Sequence, residues 1–423
     1  MNHTKLKKTF SLSTLLKKLG PGIITGASDD DPSGIATYTQ AGAQFGPKLL
    51  WTAVFTYPLM AGIQEMCARI GLISQHGLAG IIKQYFPKPV LWLVVLLSFI
   101  SITLNIGADI AGMGAVAHLL VPSIPPYLFS IAFTLILMRA IIIWNYKKIA
   151  SVLKYLCISL FAYLLIPFFI QTNWRAALWN TFVPTIENNS SYLMALVGIL
   201  GTTISPYLFF WQTSMEAEER LHHPKIIIDI KILRAMKIDV RGGMALSNMV
   251  FYFIVLTSAN VLFPAGIRDI QTVEQAAIAL KPLAGKFTYL LFAGGIIGTG
   301  LLAIPVLAGS LSYMMAETFD WKEGLDKKFH EARGFYITMI VSLLLGLCIN
   351  FMGWSPIKSL LYAAVLYGLT APILILLILL ICNKKTIMGD YTNRVQSNIL
   401  GILGFLLMSV AALMLLIQLI SFP

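Results

Sequence analysis

Long runs of apolar residues recur along the whole chain, separated by short polar stretches. A helix needs about 20 apolar residues to cross the hydrocarbon core of a bilayer. The pattern predicts eleven transmembrane helices, which we number spans 1 to 11: 20–46, 49–74, 90–120, 125–144, 148–171, 192–214, 240–263, 285–318, 334–352, 357–382 and 398–421. The polar stretch 267–283 is predicted to be an outer loop that can hold a short helix.

Composition supports a membrane protein. Of the 423 residues, 57% are hydrophobic and 12% are charged, whereas a soluble domain carries about 25% charged residues. The sequence therefore predicts one transmembrane domain over 20–421, after a cytoplasmic tail over 1–19. No cleavage site for a signal peptide follows the tail, and no soluble domain is expected.

The basic residues predict how the chain crosses the membrane. The net charge is +12, and most of the 31 lysines and arginines lie in the tail and in alternate loops. Cytoplasmic loops are rich in Lys and Arg, which predicts a multi-pass protein of the inner (plasma) membrane with its N-terminus cytoplasmic and its C-terminus outside. This distribution indicates a lipid bilayer and not a nucleic acid as the partner, and a monomer is expected.

Span 1 contains residues that an unbroken helix cannot accommodate. Asp29, Asp30 and Asp31 precede Pro32, and Gly34 follows. Proline removes a backbone donor and disfavours helical geometry at the residue before it. Irregular backbone at membrane depth occurs only where it is buried in protein or lines a watery cavity, and ionisable groups there are candidates for function.

Span 6 carries a second interruption at Ser205 and Pro206. Matching breaks in two halves of a chain indicate the binding site of an inverted-repeat transporter. We therefore predict one repeat over about 20–171, a second over about 192–382, and an extra helix over 398–421. Two alternatives stay open: the prolines could only kink packed helices, and Asp29 and Asp30 could be hydrated residues at the mouth of the path.

Three segments resemble a known family of divalent metal transporters, the natural-resistance-associated macrophage protein (Nramp) family. They are TGASDDDPSGIATYTQAGAQFGPKLLW for its first helix, GILGTTISPYLFFWQTS for its sixth and GADIAGMG for its third. The resemblance covers nearly the whole chain. It implies an all-α LeuT-type fold, in which two inverted five-helix repeats contain the broken helices 1 and 6.

The resemblance also implies site residues, several of which depart from the family. Asp31 stands at the metal-binding aspartate, and Thr202 stands where the family offers a carbonyl. Gly34 and Ser205 replace an asparagine ligand and a methionine ligand, and Tyr207 replaces a histidine. A glutamine ligand of the tenth helix aligns near Ala364. The implied metal site is Asp31, Thr202, Ser205 and Gly34, and the implied path adds Asp29, Asp30, Tyr207 and Asp109.

The departures change the expected cargo. A thioether favours late transition metals, whereas carboxylate, hydroxyl and carbonyl oxygens suit Mg²⁺, Mn²⁺ or Ca²⁺. The chain is similar in this respect to the Nramp-related magnesium transporters, which lack the methionine. The prediction is uptake of Mg²⁺, with Mn²⁺ also accepted, by alternating access. The ion is cargo, and no cofactor is expected.

Proton coupling is predicted to be lost. The family's proton route keeps Asp109 here, but Gly112 and Ile102 stand where the resemblance places carboxylates. Glu65 and Asp109 are the remaining candidates for coupling, although Glu65 can instead pair with Arg69 four residues on. The alternatives are a proton-coupled Mn²⁺/Fe²⁺ importer and an amino-acid/cation symporter. An enzyme is not expected, because no nucleophile–base pair or HExxH motif is present.

Overall fold

The structure is a computed structural model that describes residues 21–144, 161–222 and 228–421. Within these residues every regular element is helical, and each of the eleven predicted spans contains at least one helix. Span 5 is described only from Phe161, so its residues 148–160 and the predicted tail 1–19 lie outside the described residues. In the described part of the chain, eight helical segments are long and apolar enough to cross a membrane.

The α-helices are, in chain order, α1 (Pro21–Asp29), α2 (Pro32–Phe45), α3 (Trp51–Ser74), α4 (Leu78–Tyr85), α5 (Lys88–Leu120), α6 (Pro126–Ile143), α7 (Phe161–Phe169), α8 (Trp174–Phe182), α9 (Ser190–Thr203), α10 (Pro206–His222), α11 (Ile230–Val261), α12 (Val273–Ala277), α13 (Lys281–Ala284), α14 (Thr288–Phe319), α15 (Arg333–Ile349), α16 (Pro356–Asn383), α17 (Lys385–Met388) and α18 (Val395–Ser421). The predicted outer loop 267–283 contains α12 and the start of α13. Spans 1 and 6 are each split in two, as α1 with α2 and α9 with α10.

The two broken spans lie among the other helices of the bundle. α11 packs along both α1 and α2, and α16 packs along α2, α5 and α9. The outward surface is apolar: Leu135, Phe168 and Trp179 are 58%, 67% and 67% exposed. Exposed apolar side chains on this scale mark a surface that contacts lipid. The carboxylates of span 1, in contrast, are buried in the middle of the protein.

α1 and α11 are in direct backbone contact. A Cβ atom built on Gly26 would lie 2.2 Å from the Gly243 carbonyl oxygen, and one on Gly243 would lie 2.1 Å from the Gly22 carbonyl oxygen. Small residues let membrane helices approach this closely. The contact holds α1 in place, with its C-terminal end at the break in span 1.

This contact predicts that Gly243→Ala destabilises the protein, because the added methyl group overlaps the backbone of α1. Overpacking of this kind costs about 1–3 kcal/mol. Gly242→Ala is the matched control, since a Cβ there meets nothing within 4 Å and alanine is favoured over glycine in a helix by about 1 kcal/mol. Thermal unfolding of the purified protein measures both, and equal midpoints for the two variants would contradict the packing.

Candidate metal centre

The break in span 1 lies at Asp30 and Asp31, between α1 and α2. Asp31 is the N-cap of α2, with φ −73° and ψ 171°, and Pro32 occupies the first turn. Proline is favoured there because its fixed φ suits the helix and no N–H is needed. The break therefore aligns the positive end of one half-helix and the carbonyl end of another, an arrangement that transporters use to hold ions.

Asp31 receives hydrogen bonds on both carboxylate oxygens. Its Oδ1 accepts from Ser33 Oγ and from the Gly34 backbone N–H, both at 2.7 Å. Its Oδ2 accepts from Asn105 Nδ2 of α5 at 2.8 Å. The side chain is 2% exposed. Gly34 thus contributes a backbone donor to Asp31, and a Cβ built on Gly34 would lie 3.3 Å from the Tyr38 ring.

The break in span 6 meets the break in span 1. Ser205 Oγ lies between α9 and α10, 2.7 Å from the Thr202 carbonyl oxygen and 3.3 Å from Asp29 Oδ1. The Tyr207 hydroxyl donates to the Ser28 carbonyl oxygen at 2.7 Å. The two interruptions therefore bring a carboxylate, a hydroxyl and a backbone carbonyl together in the centre of the bundle.

The other two aspartates of span 1 face α11. Ser247 Oγ donates to Asp29 Oδ2 at 2.7 Å and is 3.4 Å from Asp30 Oδ1. Asp29 and Asp30 are 1% and 3% exposed. They are buried in the same region as Asp31. In this structure they are therefore not hydrated residues at an open mouth of the path.

Asp109 lies on α5, one turn beyond Asn105, so both residues are on the same face of the helix. It is 0% exposed. Neither carboxylate oxygen makes a hydrogen bond of normal geometry in the described part of the chain, although the Ser33 backbone N–H lies close to the carboxylate. It is close enough to Asp31 for their charges to interact. The structure thus places it beside the carboxylates of span 1.

Four carboxylates are therefore buried together: Asp29, Asp30, Asp31 and Asp109. None of them forms an ion pair with a residue that the structure describes. Burying a charge is costly unless an opposite charge or a metal compensates it. The described residues do not contain three His, Cys, Asp or Glu side chains arranged to hold a metal ion, so a cation bound here would need hydroxyl, carbonyl and amide oxygens as well as carboxylates.

Glu65 has a different environment. Its Oε1 is 3.1 Å from Lys237 Nζ of α11 and 3.9 Å from Arg69 Nε. Arg69 also donates to the Tyr391 carbonyl oxygen at 2.8 Å. Glu65 thus forms a cluster of ion pairs that ties α3 to α11, and its recorded contacts do not include the aspartates of span 1.

Apolar packing fills three positions where the resemblance implies polar groups. Ile102 and Ala364 are 0% exposed. A Cβ built on Gly112 would lie 3.2 Å from Leu360, and one on Gly201 would lie 2.2 Å from the Ala364 carbonyl oxygen. The surrounding helices have closed on these positions, which leaves Asp109 as the titratable side chain of this part of α5.

Hydrogen bonds tie both half-helices of span 1 to other parts of the bundle. In α2, Gln40 Nε2 donates to the Arg268 carbonyl oxygen at 3.0 Å. In α1, the Gly22 N–H donates to Asp239 Oδ2 at 2.7 Å, and Thr25 Oγ1 donates to Gln212 Oε1 at 2.5 Å. These contacts connect α2 to the predicted outer loop and α1 to α10 and α11.

Sequence reasoning did not identify Asn105, Ser247 or Ser33. Asn105 could have been found, because it is an amide within an apolar run, four residues before Asp109 on the same helix face. Ser247 gives no comparable signal, since serine is common in membrane helices and can bond to its own backbone.

Comparisons with known proteins agree with this architecture. A model of the natural resistance-associated macrophage protein-like (Nramp) family matches residues 22–418. The chain is 26% identical over 402 residues to the divalent metal cation transporter MntH of Caldanaerobacter subterraneus subsp. tengcongensis, which covers 93% of this chain and 90% of that protein. It is 25% identical over 403 residues to MntH of Clostridium acetobutylicum, and the match covers 93% of this chain and 89% of that protein.

Solved structures share the fold. The manganese transporter of Eremococcus coleocola, in complex with an aromatic bis-isothiourea compound, matches with a TM-score of 0.76 at 19% identity, over 97% of this chain and 88% of that one. MhsT in complex with L-phenylalanine matches with a TM-score of 0.62 at 14% identity, over 96% of this chain and 98% of that one. These likenesses confirm the predicted LeuT-type fold, whereas the residue bounds of its two repeats stay a prediction.

Proposed function

The chain belongs to the Nramp family, and from that membership we propose that it transports divalent metal cations, with Mg²⁺ as the main cargo and Mn²⁺ also accepted. The ion would bind between the two breaks, at Asp31, Ser205 and the Thr202 carbonyl, with Asp29 close by. Gly34 would shape the site and fix Asp31 through its N–H. The relatives are transporters, and the proposal includes no catalytic step.

The observation that supports Mg²⁺ is the set of donors around the two breaks. Asp31, Asp29, Ser205 and the Thr202 carbonyl offer oxygen, and Ser205 stands where the family has its methionine. Mg²⁺ prefers oxygen ligands and keeps several of its waters. Both Ser205 and Gly34 are small, which leaves room for those waters once the centre opens.

The charge of the centre also favours a divalent ion. Four buried carboxyl groups have no ion pair among the described residues, so each is costly to ionise until a cation binds beside it. A cation with two positive charges offsets more of that cost than a monovalent ion does. An amino-acid substrate, whose carboxylate is negative, would meet repulsion at the same place.

We propose transport without proton coupling. A proton relay needs a series of titratable groups, and Ile102, Gly112 and Tyr207 interrupt the series that the family uses. Glu65 is held by Lys237 and Arg69 instead. A divalent cation gains about 4.6 kcal/mol per 100 mV when it enters a negative interior, twice the energy of a unit charge. This electrical energy is enough to drive uptake of the ion without protons.

The proposed orientation has the N-terminus in the cytoplasm and the C-terminus outside, in the inner (plasma) membrane, with the protein acting as a monomer. Two surface ion pairs agree with the loop assignment. Lys83 bonds to Asp320, which joins two of the basic loops proposed to be cytoplasmic. Lys48 bonds to Glu187 at 2.6 Å, which joins two loops proposed to face outwards.

A liposome experiment tests cargo and coupling together. The purified protein is reconstituted with a Mg²⁺ indicator and a pH indicator inside, and a membrane potential is imposed. We expect Mg²⁺ entry that speeds up with a negative interior, without acidification, and no entry into protein-free liposomes. Acidification that depends on the metal would instead support the second candidate, a proton-coupled Mn²⁺/Fe²⁺ importer, which the unpartnered Asp109 beside Asp31 favours.

Titration of Mg²⁺, Mn²⁺ and Cd²⁺ into the purified protein tests the donor set. We expect binding of Mg²⁺ and Mn²⁺. Tight Cd²⁺ binding without Mg²⁺ binding would contradict the proposal, because Cd²⁺ prefers sulfur. The Met113 side chain and the Pro32 ring both contact the position of a Cβ built on Gly300, so Met113→Leu would show whether that thioether is responsible.

A further inference from the structure

Asn105 is a buried amide with one half unused. It lies in the middle of α5 and is 0% exposed. Its Nδ2 donates to Asp31 Oδ2 at 2.8 Å. Its Oδ1 makes no hydrogen bond of normal geometry in the described part of the chain, although the Tyr367 hydroxyl lies close to the same amide. A buried polar atom without a partner is destabilising, so Oδ1 calls for an explanation.

The direction of the contact is informative. A side-chain amide has two donor hydrogens on its nitrogen and an acceptor oxygen. Rotating the group by 180° exchanges the positions of the nitrogen and the oxygen. Asn105 is therefore able to place either its nitrogen or its oxygen beside Asp31 Oδ2. The nitrogen suits an ionised Asp31 by itself. The oxygen suits an Asp31 whose charge is shared with a cation, because two oxygens can then bind the same ion.

On the Oδ1 side of Asp31, position 34 provides no side-chain amide. Gly34 has no side chain, and the Tyr38 ring lies 3.3 Å from where its Cβ would be. Asp31 Oδ1 is already occupied by Ser33 and by the Gly34 N–H. The unoccupied coordination space of Asp31 is thus on its Oδ2 side, where Asn105 lies.

We propose that Asn105 is a metal-binding residue of this transporter, whose amide group turns to give Oδ1 to the cation that Asp31 binds. The inference rests on the proposed function, since it needs a divalent cation at Asp31. It moves part of the binding site from the two broken spans to α5. Amide oxygens are among the ligands that Mg²⁺ and Ca²⁺ accept in proteins, so this donor keeps the site free of sulfur.

The competing explanation is that Asn105 only positions Asp31. Ser33→Ala provides the matched control, because Ser33 also donates one hydrogen bond to Asp31 but on the other oxygen. Asn105→Leu removes both the hydrogen bond and the proposed ligand. If Asn105 binds the ion, calorimetric titration should show that Asn105→Leu weakens Mg²⁺ affinity about tenfold or more beyond the loss in Ser33→Ala, because Ser33 only supports Asp31. Equal losses in the two variants would overturn the proposal.

Asn105→Asp gives a second, independent measurement. Its carboxylate cannot donate to Asp31 but can bind a cation, so the proposal predicts Mg²⁺ affinity within threefold of the unmodified protein, or tighter. A residue that only positioned Asp31 would instead lose affinity on this change, because two carboxylates would repel each other. This variant keeps the test decisive if Asn105→Leu fails to fold, which thermal unfolding would reveal.

The outcomes also separate this inference from the proposed function. If the unmodified protein binds Mg²⁺ or Mn²⁺ and Asn105→Leu binds them equally well, the function stands and the role of Asn105 is wrong. If the unmodified protein binds neither ion in calorimetry, the proposed function fails and the inference fails with it.

Discussion

Asp31→Asn should abolish tight binding of Mg²⁺ and Mn²⁺, with affinity weakened about 100-fold or more. Changes to groups that merely support a ligand cost about 10–100-fold in metal affinity, and Asp31 is the proposed ligand itself. The substitution keeps the shape of aspartate, removes one negative charge and replaces one accepting oxygen with an NH₂ group, at the Oδ2 position beside Asn105 if the cap to Gly34 is kept. Isothermal titration of each metal into the purified variant measures the loss.

The asparagine variant also separates charge from helix capping. Asp31 caps α2 through the Gly34 N–H, and asparagine is as good an N-cap as aspartate, whereas alanine loses about 1 kcal/mol. We therefore expect Asp31→Asn to keep the thermal stability that Asp31→Ala loses in part, while neither variant binds metal.

Asp30→Asn is the matched control for Asp31. It removes the adjacent carboxylate, which has one long contact, 3.4 Å to Ser247 Oγ. Its effect on Mg²⁺ affinity should stay below tenfold, because that carboxylate contributes charge and no proposed ligand. If Asp31→Asn binds metal as tightly as the unmodified protein, or if Asp30→Asn loses more, the ion does not bind where we propose.

The helices and both breaks could be predicted from the sequence because each depends on local chemistry. Apolar runs of sufficient length must form helices in lipid, where the backbone has no other hydrogen-bond partner. Pro32 and Pro206 each begin a new helix, α2 and α10, where a proline without an N–H is tolerated. The three aspartates before Pro32 then mark the break in span 1 as the polar centre.

The partners of the aspartates could not be predicted in the same way, because they come from other helices. Asn105 belongs to α5 and Ser247 to α11, and which faces meet depends on the packing of the whole bundle. The contacts of Glu65 also divide into one that sequence predicts and one that it does not. Its pairing with Arg69 follows from helix geometry and is present at 3.9 Å, whereas the shorter contact, 3.1 Å to Lys237, joins two helices.

Sequence also could not show which residues hold the half-helices of span 1 in place. The hydrogen bonds of Gln40 with Arg268 and of Gly22 with Asp239 join residues more than 200 positions apart. Such contacts must break on one side at a time if the ion is to enter and leave.

Ser205→Met should reverse the metal preference of the transporter. Ser205 Oγ lies 3.3 Å from Asp29 Oδ1 and beside the Thr202 carbonyl, so a longer side chain at this position would reach into the break. A thioether is a soft ligand that favours Cd²⁺ over Mg²⁺. We expect Cd²⁺ affinity to rise about tenfold or more and Mg²⁺ affinity to fall by a similar factor, measured by calorimetric titration of both ions.

Ser205→Leu separates the sulfur from the change in size. Leucine and methionine have similar volumes, so both variants overfill a position that is 2% exposed and both lose the hydroxyl. Mg²⁺ affinity should therefore fall in both, whereas the gain in Cd²⁺ affinity should occur in the methionine variant alone. If leucine and methionine gave the same Cd²⁺ affinity, the side chain at 205 would not reach the ion, and its serine could not explain a preference for Mg²⁺.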